Sequence, residues 1–66
     1  PAQTSAEKRI NLRKRRDRLI TEIVTLDLRF ESGAIGEQTH LRQRHILKQE
    51  LKEVLRYLGM DDQNTI

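Results

Sequence analysis

The sequence predicts an all-α fold, an antiparallel helical hairpin that dimerises into a four-helix bundle. Three observations lead to this prediction: two long segments without glycine or proline, apolar residues at steps of three and four in each, and a short glycine-bounded turn between them. We expect helices over residues 5–32 and 37–58, with an N-terminal tail at 1–4 and a C-terminal tail at 59–66. Because the turn is short, the two helices are expected to lie side by side in opposite directions.

The expected helix ends carry residues that favour helix termini. The segment Thr4-Ser5-Ala6-Glu7 has the form of a capping box at the start of the first helix. Gly33 and Gly59 fit the left-handed position that follows the last residue of a helix. Gly36 is an acceptable N-cap for the second helix, and Glu37 beside it suits the positive end of the helix dipole.

Each expected helix carries one apolar stripe. The stripe residues step by 7, 4, 3 and 4 in the first helix and by 4, 3 and 4 in the second, which keeps them on one side of a helix. Counting outward from the turn places Phe30 near Thr39 and Leu12 near Leu58. The residues expected to hold the hairpin together are Leu19, Ile23, Leu26, Phe30, Leu47, Leu51, Val54 and Leu58.

A second apolar row remains after the hairpin has formed. Ile20, Val24 and Leu28 follow one another at steps of four, roughly 100–180° around the first helix from Leu19. Ile46 also points away from the stripe of the second helix. A row of exposed apolar side chains is a candidate contact surface. We therefore predict a protein interface that comprises Ile20, Val24, Leu28 and Ile46 and that joins two copies of the chain.

Length and composition limit the classes of function. A chain of 66 residues, 35% of them apolar, buries too little surface for a large core, and without Cys it forms neither a disulfide nor a zinc–thiolate site. Oligomerisation or a protein partner is therefore expected to supply stability. No apolar run approaches the ~20 residues of a membrane span. Since a glycine-rich phosphate loop and a nucleophile–base set are absent, we predict a protein that is not an enzyme and has no cofactor.

The two histidines raise the question of a metal site. His40 and His45 diverge by roughly 140° on a helix, so they do not chelate one ion as an i, i+4 pair does. The spacing Glu37-x-x-His40 matches half of a carboxylate-bridged di-iron motif, for which Asp27 or Glu31 are candidate further ligands. Because an inward-facing Glu is missing from the middle of the first helix, the sequence favours a capping Glu and a polar His, and no metal is predicted.

The strongest local feature is a positive cluster near the start of the first helix. Residues 7–18 hold seven basic and two acidic residues, a net charge of +5, whereas residues 19–66 hold six basic and eight acidic residues, a net charge of −2. Four interpretations of this cluster are open. It is a site for the phosphates of nucleic acid, for an anionic membrane or for an acidic protein, or it is a surface that stays solvated or pairs with Glu50 and Glu53. A DNA-reading helix-turn-helix fits less well, because both helices are long and mutually apolar. The candidate phosphate-binding residues are Arg13, Lys14, Arg15, Arg16 and Arg18.

About 40 residues of the chain have a distinctive order of charged, aliphatic and glycine positions. These positions are Arg16-Asp17-Arg18-Leu19, Glu22-Ile23, Gly33, Ile35, Glu37, Arg44 and Leu47. The order resembles the helical hairpin that follows the membrane anchor in CcmI-like proteins of c-type cytochrome biogenesis, and it is similar to that of SHOCT-type oligomerisation segments and some gas-vesicle accessory proteins. Gly36 and His40 depart from the Ser/Thr cap and the aromatic residue of the CcmI-like pattern. The resemblance implies a membrane-proximal piece of an assembly factor whose anchor precedes Pro1.

Two functions follow as expectations. The first is a non-catalytic, self-associating hairpin that acts as an assembly or protein-docking module, which the resemblance would place in a membrane-anchored assembly factor. The alternative is a nucleic-acid-binding hairpin that uses the basic first helix. The two differ in their response to salt, since phosphate contacts weaken steeply as salt rises and apolar association does not.

Overall fold

The computed structural model describes residues 5–59, which form two packed α-helices and a turn. Helix α1 spans Ser5–Glu31 and helix α2 spans Glu37–Leu58, and residues 5–59 contain no β-strand. The prediction of an all-α helical hairpin is confirmed, with α1 ending one residue before the predicted boundary. Thr4 of the predicted capping box and most of the C-terminal tail lie outside the described residues.

The turn after α1 is closed by the two hydrogen bonds of a Schellman motif. The Ala34 N–H donates to the carbonyl oxygen of Arg29 at 2.9 Å, and the Gly33 N–H donates to that of Phe30 at 3.1 Å. Gly33 has φ +84°, in the left-handed region that a residue without Cβ adopts at little cost. These bonds satisfy carbonyl groups that the end of α1 would otherwise leave unpaired, and they reverse the direction of the chain.

Glycines bound α2 at both ends, as predicted. Gly36 is the N-cap in an extended conformation and makes no side-chain hydrogen bond, while Glu37 lies in the first turn near the positive end of the helix dipole. Gly59 ends the helix at φ 75°, where its N–H donates to the carbonyl oxygen of Arg56 at 3.1 Å. The start of α2 therefore depends on the backbone and the dipole and not on a side-chain cap.

The two helices pack along the predicted stripes, but the resulting core is thin. Leu19, Leu26, Val54 and Leu58 are buried, and no side chain in the described part of the chain is less than 2% exposed. The predicted core residues Ile23, Phe30, Leu47 and Leu51 are half-buried, as is Leu12, which packs against the buried cluster. The hairpin thus excludes water from one narrow seam.

The first turns of α1 lie outside this packed seam. Side chains of residues 6–11 are all exposed, and Leu12 is the first residue of α1 that packs against the buried cluster. This part of α1 overlaps the positive cluster of the sequence. We call residues 8–18 the basic arm.

Candidate functional site

The contact between Asp27 and Arg44 marks one flank of the seam between the helices. The Arg44 Nε donates to Asp27 Oδ1 at 3.1 Å, so both side chains lie on the same flank, which we call the Asp27 flank. At about 100° per residue, Ile20 and Val24 lie roughly 20° and 60° around α1 from Asp27, and Leu28 lies further out. All three are exposed, with 45%, 52% and 59% of their surface accessible. The predicted apolar row therefore begins on the Asp27 flank at Ile20 and reaches the outer face of α1 at Leu28.

Helix α2 adds apolar side chains to the same flank. Leu55 and Leu41 lie roughly 20° and 60° around α2 from Arg44. Leu55 is half-buried, and Leu41 is as exposed as Leu28. The Asp27 flank thus carries aliphatic side chains from both helices, with the Asp27–Arg44 pair between them.

Ile46 lies on the opposite flank, which we call the Ile46 flank. There an open groove of about 390 Å³ runs between the helices, with Leu26 and Leu47 among its apolar lining. The groove is otherwise lined by polar side chains, namely Thr21, Glu22, Thr25, Arg29 and Gln43. The four residues of the predicted interface are therefore divided between two sides of the hairpin, with Ile20, Val24 and Leu28 away from Ile46.

A polar cluster beside the turn links the two helices. The His40 Nε2 donates to Asp27 Oδ1 at 2.7 Å, and the His40 ring stacks on the Phe30 ring with centroids 4.3 Å apart. Phe30 therefore meets His40, the residue next to Thr39, near which the sequence placed it. The hydrogen bond from His40 is the main reason that the pKa of Asp27 lies below its usual value. Desolvation, the second-largest effect, raises this pKa, whereas the hydrogen bond and charge of Arg44 and the charge of His40 lower it further.

The half di-iron spacing does not assemble a metal site in this geometry. His40 is engaged with Asp27 and Phe30, and Glu37 is exposed in the first turn of α2. Within residues 5–59, no three side chains of the types His, Cys, Asp and Glu come close enough to hold an ion. The Asp27–His40–Arg44 arrangement serves the hairpin as an interhelical cluster.

The basic arm makes few contacts. The Arg16 guanidinium pairs with Asp17 at 2.9 Å, and Lys8 Nζ lies 5.8 Å from the centre of the Tyr57 ring. Glu50 and Glu53, the candidate partners of the positive cluster, form no ion pair in the described chain. The other basic side chains of the arm, Arg9, Arg13, Lys14, Arg15 and Arg18, are exposed and form no ion pair or hydrogen bond in the described chain.

No helix among the described residues combines the length and apolar character needed to cross a membrane. Comparison of the chain with protein-family models, with curated proteins and with solved structures finds no match. The resemblance to CcmI-like hairpins accordingly stays a prediction, and the function has to be argued from the site itself.

Proposed function

We propose that the chain is a non-catalytic helical hairpin that associates with a second copy through the Asp27 flank, forms a four-helix bundle, and serves as an assembly module. The observation that carries the proposal is the exposed aliphatic surface that both helices contribute to this flank. Its exposed members are Ile20, Val24, Leu28 and Leu41, and the half-buried Leu55 lies beside them. Burial of such side chains against like side chains is the usual source of stability in a four-helix bundle.

The exposure of single side chains supports the same proposal. Four large aliphatic side chains are between 45% and 59% exposed, namely Ile20, Val24, Leu28 and Leu41. A contiguous group of exposed apolar side chains is typical of a surface that contacts another protein. A second hairpin on the Asp27 flank would cover these side chains with apolar contacts.

Charge favours an antiparallel arrangement of the two copies. Residues 7–18 carry a net charge of +5 at one end of the hairpin. Two hairpins with these ends together would repel each other, whereas two hairpins in opposite directions keep the ends apart. A two-fold axis across the Asp27 flank produces the second arrangement and leaves the same patch on both copies in contact.

The test is light scattering behind size-exclusion chromatography, at low and high salt, for the parent chain and three variants. We expect the parent to have twice the mass of the 7.8 kDa chain at both salt concentrations. Val24→Leu keeps the dimer because it keeps an apolar side chain, whereas Val24→Glu gives a monomer because it would bury an unpaired charge. Circular dichroism establishes that each variant remains helical.

Ile46→Glu is the matched control. Ile46 and Val24 are equally exposed, at 52% each, but lie on opposite flanks. We expect Ile46→Glu to keep the parent mass. A monomeric parent would refute self-association, and a Val24→Glu dimer with an Ile46→Glu monomer would move the interface to the Ile46 flank.

A further inference from the structure

The basic arm carries charge that the proposed bundle does not use. Five of its basic side chains form no ion pair or hydrogen bond within the described part of the chain. All five are exposed, and they lie between the start of the arm and the first buried residue of the core. They are Arg9, Arg13, Lys14, Arg15 and Arg18.

These five side chains surround the helix on every side except the one that faces α2. Arg13, Lys14 and Arg15 are consecutive and so project in three directions about 100° apart. Arg9 and Arg18 each lie roughly 40° from one of them, at a spacing of four residues. Together they cover about 240° of the helix circumference, and the remaining side is that of Leu12, which packs against the buried cluster.

We propose that the basic arm binds double-stranded DNA, lying in the major groove with α2 on its outer side. A helix with its side chains is about 10–12 Å in diameter and the major groove is about 12 Å wide. Phosphates line both walls of the groove, so a helix with positive charge on both flanks and on its outer face contacts both strands. The contacts are to phosphate, which makes the binding independent of sequence.

The distribution of apolar residues argues against a membrane as the partner. A helix that lies on a bilayer needs an apolar face beside its basic face. In the basic arm Ile10 is the one exposed large aliphatic side chain, and Leu12 is turned toward α2. The exposed row on the Asp27 flank begins only at Ile20, beyond the arm. A flat anionic surface would also leave the charges on the far side of the helix unused.

The test is the binding of a fluorescently labelled DNA duplex of about 20 base pairs, measured by anisotropy over a series of salt concentrations. Each phosphate contact contributes about −0.9 to the slope of log affinity against log salt, so five contacts predict a slope of about −4 to −5. The triple variant Arg13→Gln, Lys14→Gln, Arg15→Gln should bind at least tenfold more weakly at low salt, with a slope shallower by about 2 to 3. Glutamine preserves helix propensity, so the variant should remain helical.

The control variant removes the same number of charges from the outer side of α2. It carries Arg42→Gln, Lys52→Gln and Arg56→Gln, three exposed residues without ion pairs in the described chain. Its net charge equals that of the arm variant, so a general loss of positive charge would weaken both equally. We expect the control to bind the duplex within about threefold of the parent.

Three results would overturn the proposal. The first is that the chain does not detectably bind the duplex at about 50 mM salt. This includes the case in which the chain binds vesicles of anionic phospholipid but not the duplex. The second is an equal loss of affinity in the arm variant and the control variant. The third is equal affinity for duplex DNA and duplex RNA, because the major groove of A-form RNA is too narrow to admit a helix. The arm variant leaves the Asp27 flank unchanged, so we expect it to keep the mass of a dimer. Measuring that mass therefore distinguishes failure of the DNA-binding proposal from failure of the self-association proposal.

Discussion

Replacement of Leu19 by alanine tests how much the thin core contributes to stability. Leu19 is 3% exposed and packs with Val54 and Leu58 at the centre of the buried cluster. Loss of a buried leucine side chain costs about 3 kcal/mol, from lost transfer free energy and from the cavity that remains. A chain of 66 residues has an unfolding free energy of roughly 3–10 kcal/mol. We therefore expect Leu19→Ala to remove about 30% or more of the unfolding free energy.

Ile10→Ala is the control for this measurement. Ile10 is 49% exposed in α1, outside the packed seam, so its truncation should change stability by less than about 0.5 kcal/mol. The assay is urea unfolding followed by circular dichroism, at equal protein concentrations because association would make the midpoint depend on concentration. A Leu19→Ala loss below about 1 kcal/mol, or one equal to that of Ile10→Ala, would refute the assignment of the core.

Three further predictions concern the polar cluster and the turn. Asp27→Asn should lower the urea midpoint at pH 7. Because the pKa of Asp27 is lowered in the folded chain, its ionised carboxylate stabilises the hairpin and this stabilisation is lost as the carboxylate is protonated. The difference in midpoint between the variant and the parent should therefore shrink as the pH falls below 3.8. Gly33→Ala should cost about 1 kcal/mol in the same assay, since alanine is strained at φ +84°, whereas Gly33→Asn should cost less. Gly36→Ser should raise stability by a few tenths of a kcal/mol, because the cap position has no side-chain hydrogen bond.

The fold was predictable because its signals are local. Backbone preferences that involve few neighbouring residues explain the positions of the three glycines. They account for the left-handed conformations of Gly33 and Gly59 and for Gly36 at the helix cap. The apolar steps within each helix identify the side that is buried in the hairpin. Leu19 and Val54 are buried for that reason.

The relation between the two helices was less predictable. A helical wheel shows that Ile46 points away from the stripe of α2, but it does not show which flank of the hairpin receives it. That requires the rotation of both helices about their axes relative to each other, which the contact between Asp27 and Arg44 shows here. The sequence signal that was missed is the spacing of four between His40 and Arg44, which places both side chains within reach of Asp27 in an antiparallel register.

The polar cluster distinguishes hairpin registers that the apolar stripes distinguish poorly. Because stripe residues recur every three or four positions, a shift of α2 by one turn, about 5.4 Å, would again place aliphatic side chains opposite one another. The same shift would separate Asp27 from His40 and Arg44 and would remove the stacking partner of Phe30. The Schellman turn at the end of α1 also opposes such a shift. Asp27 thus contributes to the proposed function by favouring one register of the two helices. That register brings aliphatic side chains of α1 and α2 to the same flank, where a second copy can contact them.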